Sequence, residues 1–451
     1  MLRGIAILGT LLTNIWIFAA SAGRGFSAPG ENPLAGEATD IAVNWATELS
    51  TYIDKALNLV TDGKFIGLLT IMFGIGLEIQ RQSAIRRGET WPGRYPWRAG
   101  LLVLDGLLNY IFIFEFDVLM GYGLTGLVVA AVMARSPKAQ KIWMVIGISA
   151  HVILLCGMDI IPRLLGVNSR GDAGGDTGMT SRITEEEFRR LGGTDDGVIT
   201  DGFPNIGAGG YWEQVVSRLD NFIGGRGEIP VMFIMGLGLF LVGAHLYRAG
   251  IFEERGAKLR KWTMLLSFGI GLPIDWGLRL FAHDGTGGIT RYGTSSMVAF
   301  GVLALVAEFY VRRTRRIDAG EIPGDRPTGW LGHALSLVGR MALTCYIGQN
   351  LIASIVFYEW GFGASRMIQG QYFTYWTLLI YLGIAAFLVA FSALWLRRFP
   401  RGPVELVWHK SYEAICGALD RRAERKKAKK EDAGAESGNG DGGEKAAVTV
   451  S

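Results

Sequence analysis

The stretch TYWTLLIYLGIAAFLVAFSALW, residues 374–395, contains 22 consecutive residues without a charged side chain. An α-helix rises about 1.5 Å per residue, so roughly 20 apolar residues cross a bilayer core about 30 Å thick. We therefore predict that this stretch is a membrane-spanning helix. The composition agrees, since 49% of the chain is hydrophobic and only 19% is charged.

Apolar runs of similar length recur along most of the chain. They predict an all-α, polytopic integral membrane bundle of about ten transmembrane helices. The 64 glycines fit this class because small residues let membrane helices approach closely. The predicted helices lie near residues 5–20, 64–80, 99–114, 117–134, 142–161, 229–247, 263–281, 292–310, 335–357 and 374–395.

Basic residues in the connecting segments predict the topology. Lys and Arg favour the cytosolic side when they occur in short loops. The basic segments alternate along the chain, at residues 81–98, 135–141, 248–261, 312–316 and 397–401. Both termini are therefore predicted to be cytosolic. A rival interpretation of the first helix is a signal peptide ending at Ala20 to Ala22, which would leave nine helices and break the alternation.

Two segments outside the membrane complete the predicted organisation. The bundle, residues 1–402, contains a long external loop at 162–228, in which Tyr211 to Phe222 has an amphipathic pattern. Residues 403–430 combine apolar and basic side chains and predict an interfacial helix that contacts lipid headgroups. Residues 431–451 are rich in Gly and Glu and are predicted to be disordered.

Polar side chains within the predicted helices define the candidate site. Charged groups in hydrocarbon cost roughly 2.5 to 3.5 kcal/mol on insertion scales, so a functional role is the first hypothesis. For Glu78, snorkelling to the headgroups is the favoured alternative. Gln349 and Asn350 lie too deep for that, which leaves an interhelical hydrogen bond or a polar site. Towards the predicted outer ends lie Asn14, Lys64, Asp117, Asp275, Gln349 and Asn350; towards the cytosolic ends lie Arg3, Glu78 and Arg340.

Several function classes lack support. The net charge of +4 comes from short basic clusters and not from a basic face, which gives no support for nucleic-acid binding. The cysteines, at 156, 345 and 416, are too few and too widely spaced for a disulfide framework or a zinc site, and no metal is predicted. His283, beside Asp284, is a candidate general base, although adjacent side chains do not face each other on a helix.

Five segments resemble the bacterial YeiB-like membrane proteins, which carry the domain of unknown function 418. They are LRGIAILGTLLTNIWIF (2–18), GKFIGLLTIMFGIG (63–76), FEFDVLMGYGLTGL (114–127), VGRMALTCYIGQNLIASIVFY (338–358) and WLRRFPRGPVELVW (395–408). The resemblance extends over roughly residues 2 to 411, apart from the long external loop. It differs at Asn109, where that family usually has a His.

This family is similar to membrane-embedded acyltransferases, including the enzyme type that acetylates the terminal glucosamine of heparan sulfate. The resemblance implies an acyltransferase of the bacterial inner membrane that uses an acyl-CoA or similar thioester donor. By that resemblance Arg3 and Asn14 map onto the opening motif, Lys64 onto the second, Asp117 onto the external turn, and Arg340 and Gln349 onto the last motifs.

The working hypothesis is transfer of an acyl group from a cytosolic thioester to an envelope lipid or glycan outside. Asp117 or His283 would act as the general base. Asn14 or Gln349 would stabilise the oxyanion, and Lys64, Asp275 and Asn350 would help to bind substrate. Arg3 and Arg340 would act on the donor side. A transporter or lipid translocase that uses the same polar residues, or a non-catalytic assembly factor, is the alternative.

Overall fold

The computed structural model describes residues 1–21, 45–161, 207–282, 286–321, 328–368 and 372–439. These residues form helices joined by turns, with no β-strand among them, so the predicted all-α class is confirmed. The main helices are α1 Leu2–Ala19, α2 Trp45–Thr61, α3 Lys64–Arg86, α4 Tyr95–Phe112, α5 Leu119–Met133, α6 Pro137–Asp159, α7 Tyr211–Asp220, α8 Glu228–Arg248, α9 Ala257–Leu266, α10 Leu272–Phe281, α11 Ser295–Asp318, α12 Gly329–Arg340, α13 Ala342–Phe357, α14 Phe373–Trp395 and α15 Pro403–Asn439.

Seven helical segments of the described chain are long and apolar enough to cross a membrane, and α5 and α13 are shorter apolar helices. The protein is therefore a polytopic helical membrane protein. The count of ten spans and the cytosolic termini stay predictions. The seven segments are Leu2–Ala19, Glu48–Arg86, Pro137–Asp159, Gly224–Arg248, Glu254–Phe281, Ile289–Asp318 and Phe373–Trp395.

Two of the predicted spans contain breaks. The span near 335–357 is divided into α12 and α13 at Met341, whose φ of −111° and ψ of 38° are not helical. The span near 263–281 contains a π-helical turn, Ser267–Gly271, between α9 and α10. Pro273 follows that turn and has no amide proton to donate, so the helix cannot keep regular hydrogen bonding there.

Close helix contacts hold α3 in the middle of the bundle. It packs against α8, α11 and α1. At the contact with α8, a Cβ on Gly74 would lie 2.1 Å from the carbonyl oxygen of Phe240, and one on Gly243 would lie 2.4 Å from that of Ile71. Side chains at either position would push the two backbones apart. Glycine is therefore required for this contact.

Aromatic packing positions the turn between α4 and α5 against the end of α1. The ring of Phe18 stacks on that of Phe114 at a centroid distance of 4.3 Å and lies 5.4 Å from that of Tyr358. All three side chains are fully buried. Residues 113–118 are thus held against α1 and the end of α13, which fixes the backbone on either side of Asp117.

Glu78 corrects one expectation from the sequence. It does not snorkel to the surface but is completely buried, and it accepts hydrogen bonds from Arg248 at 2.7 Å and Gln82 at 3.0 Å. Arg248 also donates to Gln140 on α6 at 2.7 Å. A buried carboxylate with a cationic partner needs no access to water. We call this end of the bundle, which bears Glu78 and Arg248, the inner end, and the end that bears Lys64 and Asp275 the outer end.

The amphipathic segment predicted from Tyr211 forms α7. Its inward face buries Gln214, Val215 and Arg218, whereas Trp212 on the opposite face is 68% exposed. The short helix is held at the outer end by Tyr211, whose hydroxyl donates to the carbonyl oxygen of Phe112 at 3.0 Å.

The C-terminal unit, Pro403–Ser451, is separate from the unit Met1–Gly402. Helix α15 continues to Asn439, beyond the predicted end of the interfacial helix at residue 430. The predicted disorder of residues 431–451 stays a prediction, while the structure includes residues 431–439 in this helix. Residues 418–436 are rich in Ala, Glu, Lys and Arg, which are strong helix formers and extend the helix.

The predicted topology can be tested by cysteine labelling in intact cells. We expect Glu89→Cys, in the turn after α3, to resist a membrane-impermeant maleimide, because its loop is predicted to be cytosolic. Lys55→Cys on α2 should react, because that exposed residue lies near the outer end. The unmodified chain serves as the background control. Reaction at residue 89 with protection at residue 55 would reverse the assigned orientation.

Candidate functional site

An ion pair between α3 and α10 organises the outer end. Lys64 Nζ donates to Asp275 Oδ2 at 2.7 Å, and both side chains are buried. The other oxygen of Asp275 accepts a hydrogen bond from Thr294 Oγ1 at 2.6 Å. Arg279, one turn further along α10, approaches the same carboxylate at 3.3 Å. The carboxylate is thus saturated by protein donors.

Asp62 extends this network from the loop before α3. Its carboxylate accepts from Arg279 at 2.7 Å and from Arg291 at 3.2 Å. Arg291 belongs to a π-helical turn, Ile289–Thr294, whose first amide donates to Asp159 on α6 at 2.6 Å. The residues Asp62, Lys64, Asp275, Arg279 and Arg291 are called the ion network below. It joins four elements of the outer end, and its opposite charges compensate one another in a dry environment.

Asp117 lies in a second polar group, the Asp117 cluster, made of Asn109, Asp117 and Tyr346 with Arg226 beside them. Asn109 Nδ2 donates to Asp117 Oδ1 at 2.9 Å, and the amide of Met120 donates to Oδ2 at 3.1 Å. The hydroxyl of Tyr346 on α13 reaches Oδ1 at 3.4 Å. Asp117 is 7% exposed. Donors from three helices therefore fix the orientation of one buried carboxylate.

The Asp117 cluster differs from the ion network because several of its polar atoms are unpaired. Within the described chain, Asn109 Oδ1 and the Nε and Nη2 atoms of Arg226 are buried without a hydrogen-bond partner. The same holds for both polar atoms of the amide of Gln349, which follows Tyr346 by one turn on α13. Leaving a buried donor or acceptor unsatisfied costs about 1 to 3 kcal/mol. Such atoms are rare in folded proteins, and a bound polar ligand is one way to satisfy them.

Arg226 adds a cation to this cluster. It ends the short turn Gly224–Arg226 and interacts electrostatically with both Asp117 and Tyr346, although no salt bridge joins it to any carboxylate of the described residues. Its guanidinium carbon lies 3.7 Å from the centroid of the Tyr110 ring. A carboxylate and a cation thus lie in one buried region without neutralising each other by direct contact.

A buried salt bridge supports this region from the outer surface. Arg218 on α7 donates to Glu115 at 2.8 Å, and the hydroxyl of Tyr358 donates to the other oxygen of Glu115 at 3.0 Å. The hydroxyl of Tyr110 donates to the carbonyl oxygen of Arg218 at 2.9 Å. Helix α7 is therefore tied to the turn that carries Asp117.

The structure places the remaining predicted residues as follows. Asn14 is buried on α1, and no hydrogen bond among the described residues links it to Asp117 or to Asp275. Asn350 is completely buried on α13, next to Gln349. Arg3 and Arg340 are exposed at the inner end. His283 lies outside the described residues, so its predicted role as a base stays a prediction.

From their positions in five separate predicted helices, one cavity in the outer half of the bundle is expected to contain Asn14, Lys64, Asp117, Asp275 and Gln349. In the structure Lys64 and Asp275 make direct contact, and Asp117 lies in a different hydrogen-bonded group. A surface cavity lined by Tyr372, Tyr375, Trp376 and Leu379 contains none of the predicted site residues. Arg226 and Tyr110 were not identified from the sequence. Arg226 lies just before a predicted span and has no motif around it, and Tyr110 resembles any aromatic residue near a membrane boundary.

Comparison with known proteins shows what the chain is similar to. Residues 246–413 match the family described as "Protein of unknown function (DUF418)". The chain is 26% identical over 427 residues to "Uncharacterized protein YeiB" of Escherichia coli (strain K12), covering 90% of this chain and 93% of that protein. It is 24% identical over 416 residues to "Uncharacterized protein YxaH" of Bacillus subtilis (strain 168), covering 90% and 92%. No solved structure matches the chain. The predicted YeiB-like assignment is confirmed.

The stabilising role of the ion network can be tested with Asp275→Asn. This change leaves the Lys64 ammonium buried without its counter-charge, and breaking a buried pair typically costs about 3 to 5 kcal/mol. We expect a clear fall in the melting temperature of the detergent-solubilised protein. The double variant Lys64→Met/Asp275→Asn should recover part of the loss.

The matched control is Arg87→Gln, which breaks the exposed pair between Arg87 and Glu89. Exposed pairs contribute about 0.2 to 1 kcal/mol, so this variant should melt close to the wild type. An Asp275→Asn protein as stable as the control would show that the network does not hold the outer end together.

Proposed function

We propose that this YeiB-like chain is a membrane-embedded acyltransferase of the bacterial inner membrane. It moves an acyl group from a cytosolic thioester donor, such as an acyl-CoA, to a hydroxyl or amine of an envelope lipid or glycan on the outer side. The observation that supports this proposal most strongly is the oriented, buried carboxylate of Asp117 beside buried polar atoms of Asn109 and Arg226 that have no hydrogen-bond partner among the described residues.

Asp117 has the geometry that a general base requires. Its two oxygens are held by Asn109 and by the amide of Met120, so the carboxylate keeps one orientation while it accepts a proton. In the proposed step the acceptor hydroxyl transfers its proton to Asp117 as its oxygen bonds to the thioester carbonyl carbon. Collapse of the tetrahedral intermediate breaks the carbon–sulfur bond and releases the donor thiolate, which takes up the proton from Asp117 and restores the carboxylate.

The intermediate carries a negative oxygen that needs hydrogen-bond donors. Gln349 Nε2 is buried on α13 without a partner among the described residues and is available for this role. Such a donor does not have to reorient during the reaction, which makes it more effective than water. Asn14 stays a second proposed donor on the basis of the family resemblance.

The inner end carries a separate feature suited to a phosphate-bearing donor. Arg3 and Arg340 are both exposed, and neither forms a salt bridge within the described chain. They are close together because a Cβ on Gly339, the neighbour of Arg340, would lie 3.3 Å from Cβ of Arg3. Arg binds phosphate through paired N–H groups, so two unpaired arginines form a suitable contact for a nucleotide thioester.

Asn109 connects the geometry to the family resemblance. The family usually has a His at this place, and in this chain the Asn side chain bonds directly to Asp117. A His at the same position would form a His–Asp pair. The proposed base in this chain is therefore the carboxylate itself, with Asn109 as a positioning residue.

A transporter or lipid translocase is the second candidate. It is favoured by the irregular helices, since the π-helical turn Ser267–Gly271 and the break at Met341 interrupt two of the predicted spans, and the π-helical turn Ile289–Thr294 begins a further membrane segment. Interrupted helices often line the substrate paths of transporters. Wild-type protein that transfers no acyl group from any thioester, but moves a lipid between leaflets of a liposome, would favour this candidate.

The proposed base is tested by Asp117→Asn. The amide has nearly the same shape as the carboxylate and cannot accept the acceptor proton, so we expect acyl transfer to fall by about 10²- to 10⁴-fold. The protein should still insert and elute as the wild type does. The measurement is the rate of release of free thiol from a thioester donor in the presence of envelope lipids.

The matched control is Asp54→Asn. Asp54 is another buried carboxylate, bonded to Thr374 at 2.8 Å and outside the Asp117 cluster. This variant should keep its transfer activity. Full activity in Asp117→Asn would remove Asp117 as the base and leave His283 as the remaining predicted one.

The donor site is tested by Arg3→Gln and Arg340→Gln. Each change removes one exposed guanidinium from the proposed phosphate contact, so we expect the KM for the thioester donor to rise several-fold while kcat changes little. Arg315→Gln, another exposed arginine near the end of α11, is the control and should leave KM unchanged. An unchanged donor KM in both test variants would place the donor elsewhere.

A further inference from the structure

Arg226 is a buried cation at the outer end, and no salt bridge joins it to a carboxylate among the described residues. Its side chain is 8% exposed and lies between two aromatic rings, 3.7 Å from the centroid of Tyr110 and 5.8 Å from that of Phe222. Contact with aromatic faces stabilises a guanidinium and leaves its N–H groups free to donate. These rings therefore hold the group in place without using its donors.

The unpaired donors lie on one edge of the guanidinium. Nε and Nη2 are both buried, and neither has a hydrogen-bond partner among the described residues. In arginine these two nitrogens point their N–H bonds to the same side and form a fork. The fork matches two oxygens of a phosphate or carboxylate group. The missing partner of Arg226 is therefore an oxyanion.

The segment just before Arg226 shows where the oxyanion comes from. Trp212, Val216, Leu219 and Ile223 recur at spacings of four, three and four residues and are 68%, 53%, 49% and 88% exposed. These spacings place Trp212, Val216 and Leu219 on one face of α7, and Ile223 is exposed in the turn that follows the helix. An apolar face with a Trp, at the end of a membrane bundle, is typical of a helix lying among lipid headgroups. Arg226 follows this face after a single short turn.

We propose that Arg226 binds the phosphate of a lipid headgroup in the outer leaflet and thereby holds that lipid next to Asp117. The phosphate accepts the two hydrogen bonds of the guanidinium fork, and the ring of Tyr110 supports the guanidinium from one side. The acyl acceptor of the proposed reaction is therefore a phosphate-bearing lipid. This inference rests on the proposed function only in treating the bound lipid as the acyl acceptor.

The test measures binding alone and uses the full chain in a neutral detergent. The probes are dihexanoyl phosphatidylglycerol, dihexanoyl glycerol, which lacks the phosphate, and inorganic phosphate. We expect the phospholipid to raise the melting temperature of the wild type in a saturable way and the neutral lipid to have little effect. Inorganic phosphate should stabilise only at much higher concentration, because it lacks the acyl chains that contact the apolar face.

Arg226→Gln should weaken the phospholipid effect at least tenfold. Arg226→Lys keeps the charge but loses the fork, so it should also bind more weakly than the wild type. Lys55→Gln removes an exposed cation elsewhere at the outer end and should bind normally. Nε and Nη2 of Arg226 have no hydrogen-bond partner among the described residues, so both Arg226 variants should melt near the wild-type temperature without ligand.

Equal stabilisation of wild type and Arg226→Gln by the phospholipid would overturn the proposal. Inorganic phosphate acting through Arg226 as strongly as the phospholipid would overturn the lipid as the source and assign the site to a free phosphate. No acyl donor is present in this assay. Loss of binding and loss of acyl transfer are therefore read separately, and failure of either proposal leaves the other open to its own test.

Discussion

A charge buried in the apolar interior of a membrane bundle must be paired, and the Lys64–Asp275 ion pair shows how this constraint shapes the outer end. Lys64 begins α3 and Asp275 lies in the first turn of α10, so their contact at 2.7 Å fixes the relative position of two segments far apart in sequence. Arg279 and Asp62 extend the pairing to the loop before α3. At the inner end, Glu78 and Arg248 do the same for α3 and α8. The bundle is thus tied at both ends by compensated charges.

The buried polar groups without a partner are exceptions to this pattern of charge pairing. The chain pairs Lys64, Asp275 and Glu78 with opposite charges, but the fork of Arg226, whose charge interacts with Asp117, has no hydrogen-bond partner among the described residues. Gln349 on α13 is likewise buried without a partner in the described part of the chain. Polar atoms that a protein buries and does not satisfy cost stability, and functional sites are where such costs are commonly retained. This contrast is the reason to place the chemistry at Asp117 and to assign the ion network to architecture.

Much of the fold was predictable because the length of an apolar run is a strong local signal for a membrane-spanning helix. Each predicted span corresponds to a helical segment of the structure. The irregular places were not predictable to the residue. Met341 interrupts a continuous apolar run, and its non-helical backbone depends on tertiary packing. The sequence identified Asp117, Lys64 and Asp275 as charged residues that are energetically unfavourable in a membrane. It did not show which of them form pairs, because pairing depends on how helices distant in sequence pack together. Arg226 was not identified because a single arginine just before a span cannot be distinguished in the sequence from the basic residues that commonly flank membrane helices.

In the proposed reaction, the phosphates of the donor bind at the inner end, near Arg3 and Arg340. The acceptor binds at the outer end, near Asp117 and Arg226. The most direct test is acyl transfer in proteoliposomes that contain bacterial polar lipids and protein of a single, established orientation. Acetyl-CoA labelled in the acetyl group is added to one side at a time. The account predicts labelled lipid only when the donor is supplied on the side of Arg3 and Arg340, and none with Asp117→Asn. Transfer from the side of Asp117 alone, or equal transfer from both sides, would contradict it.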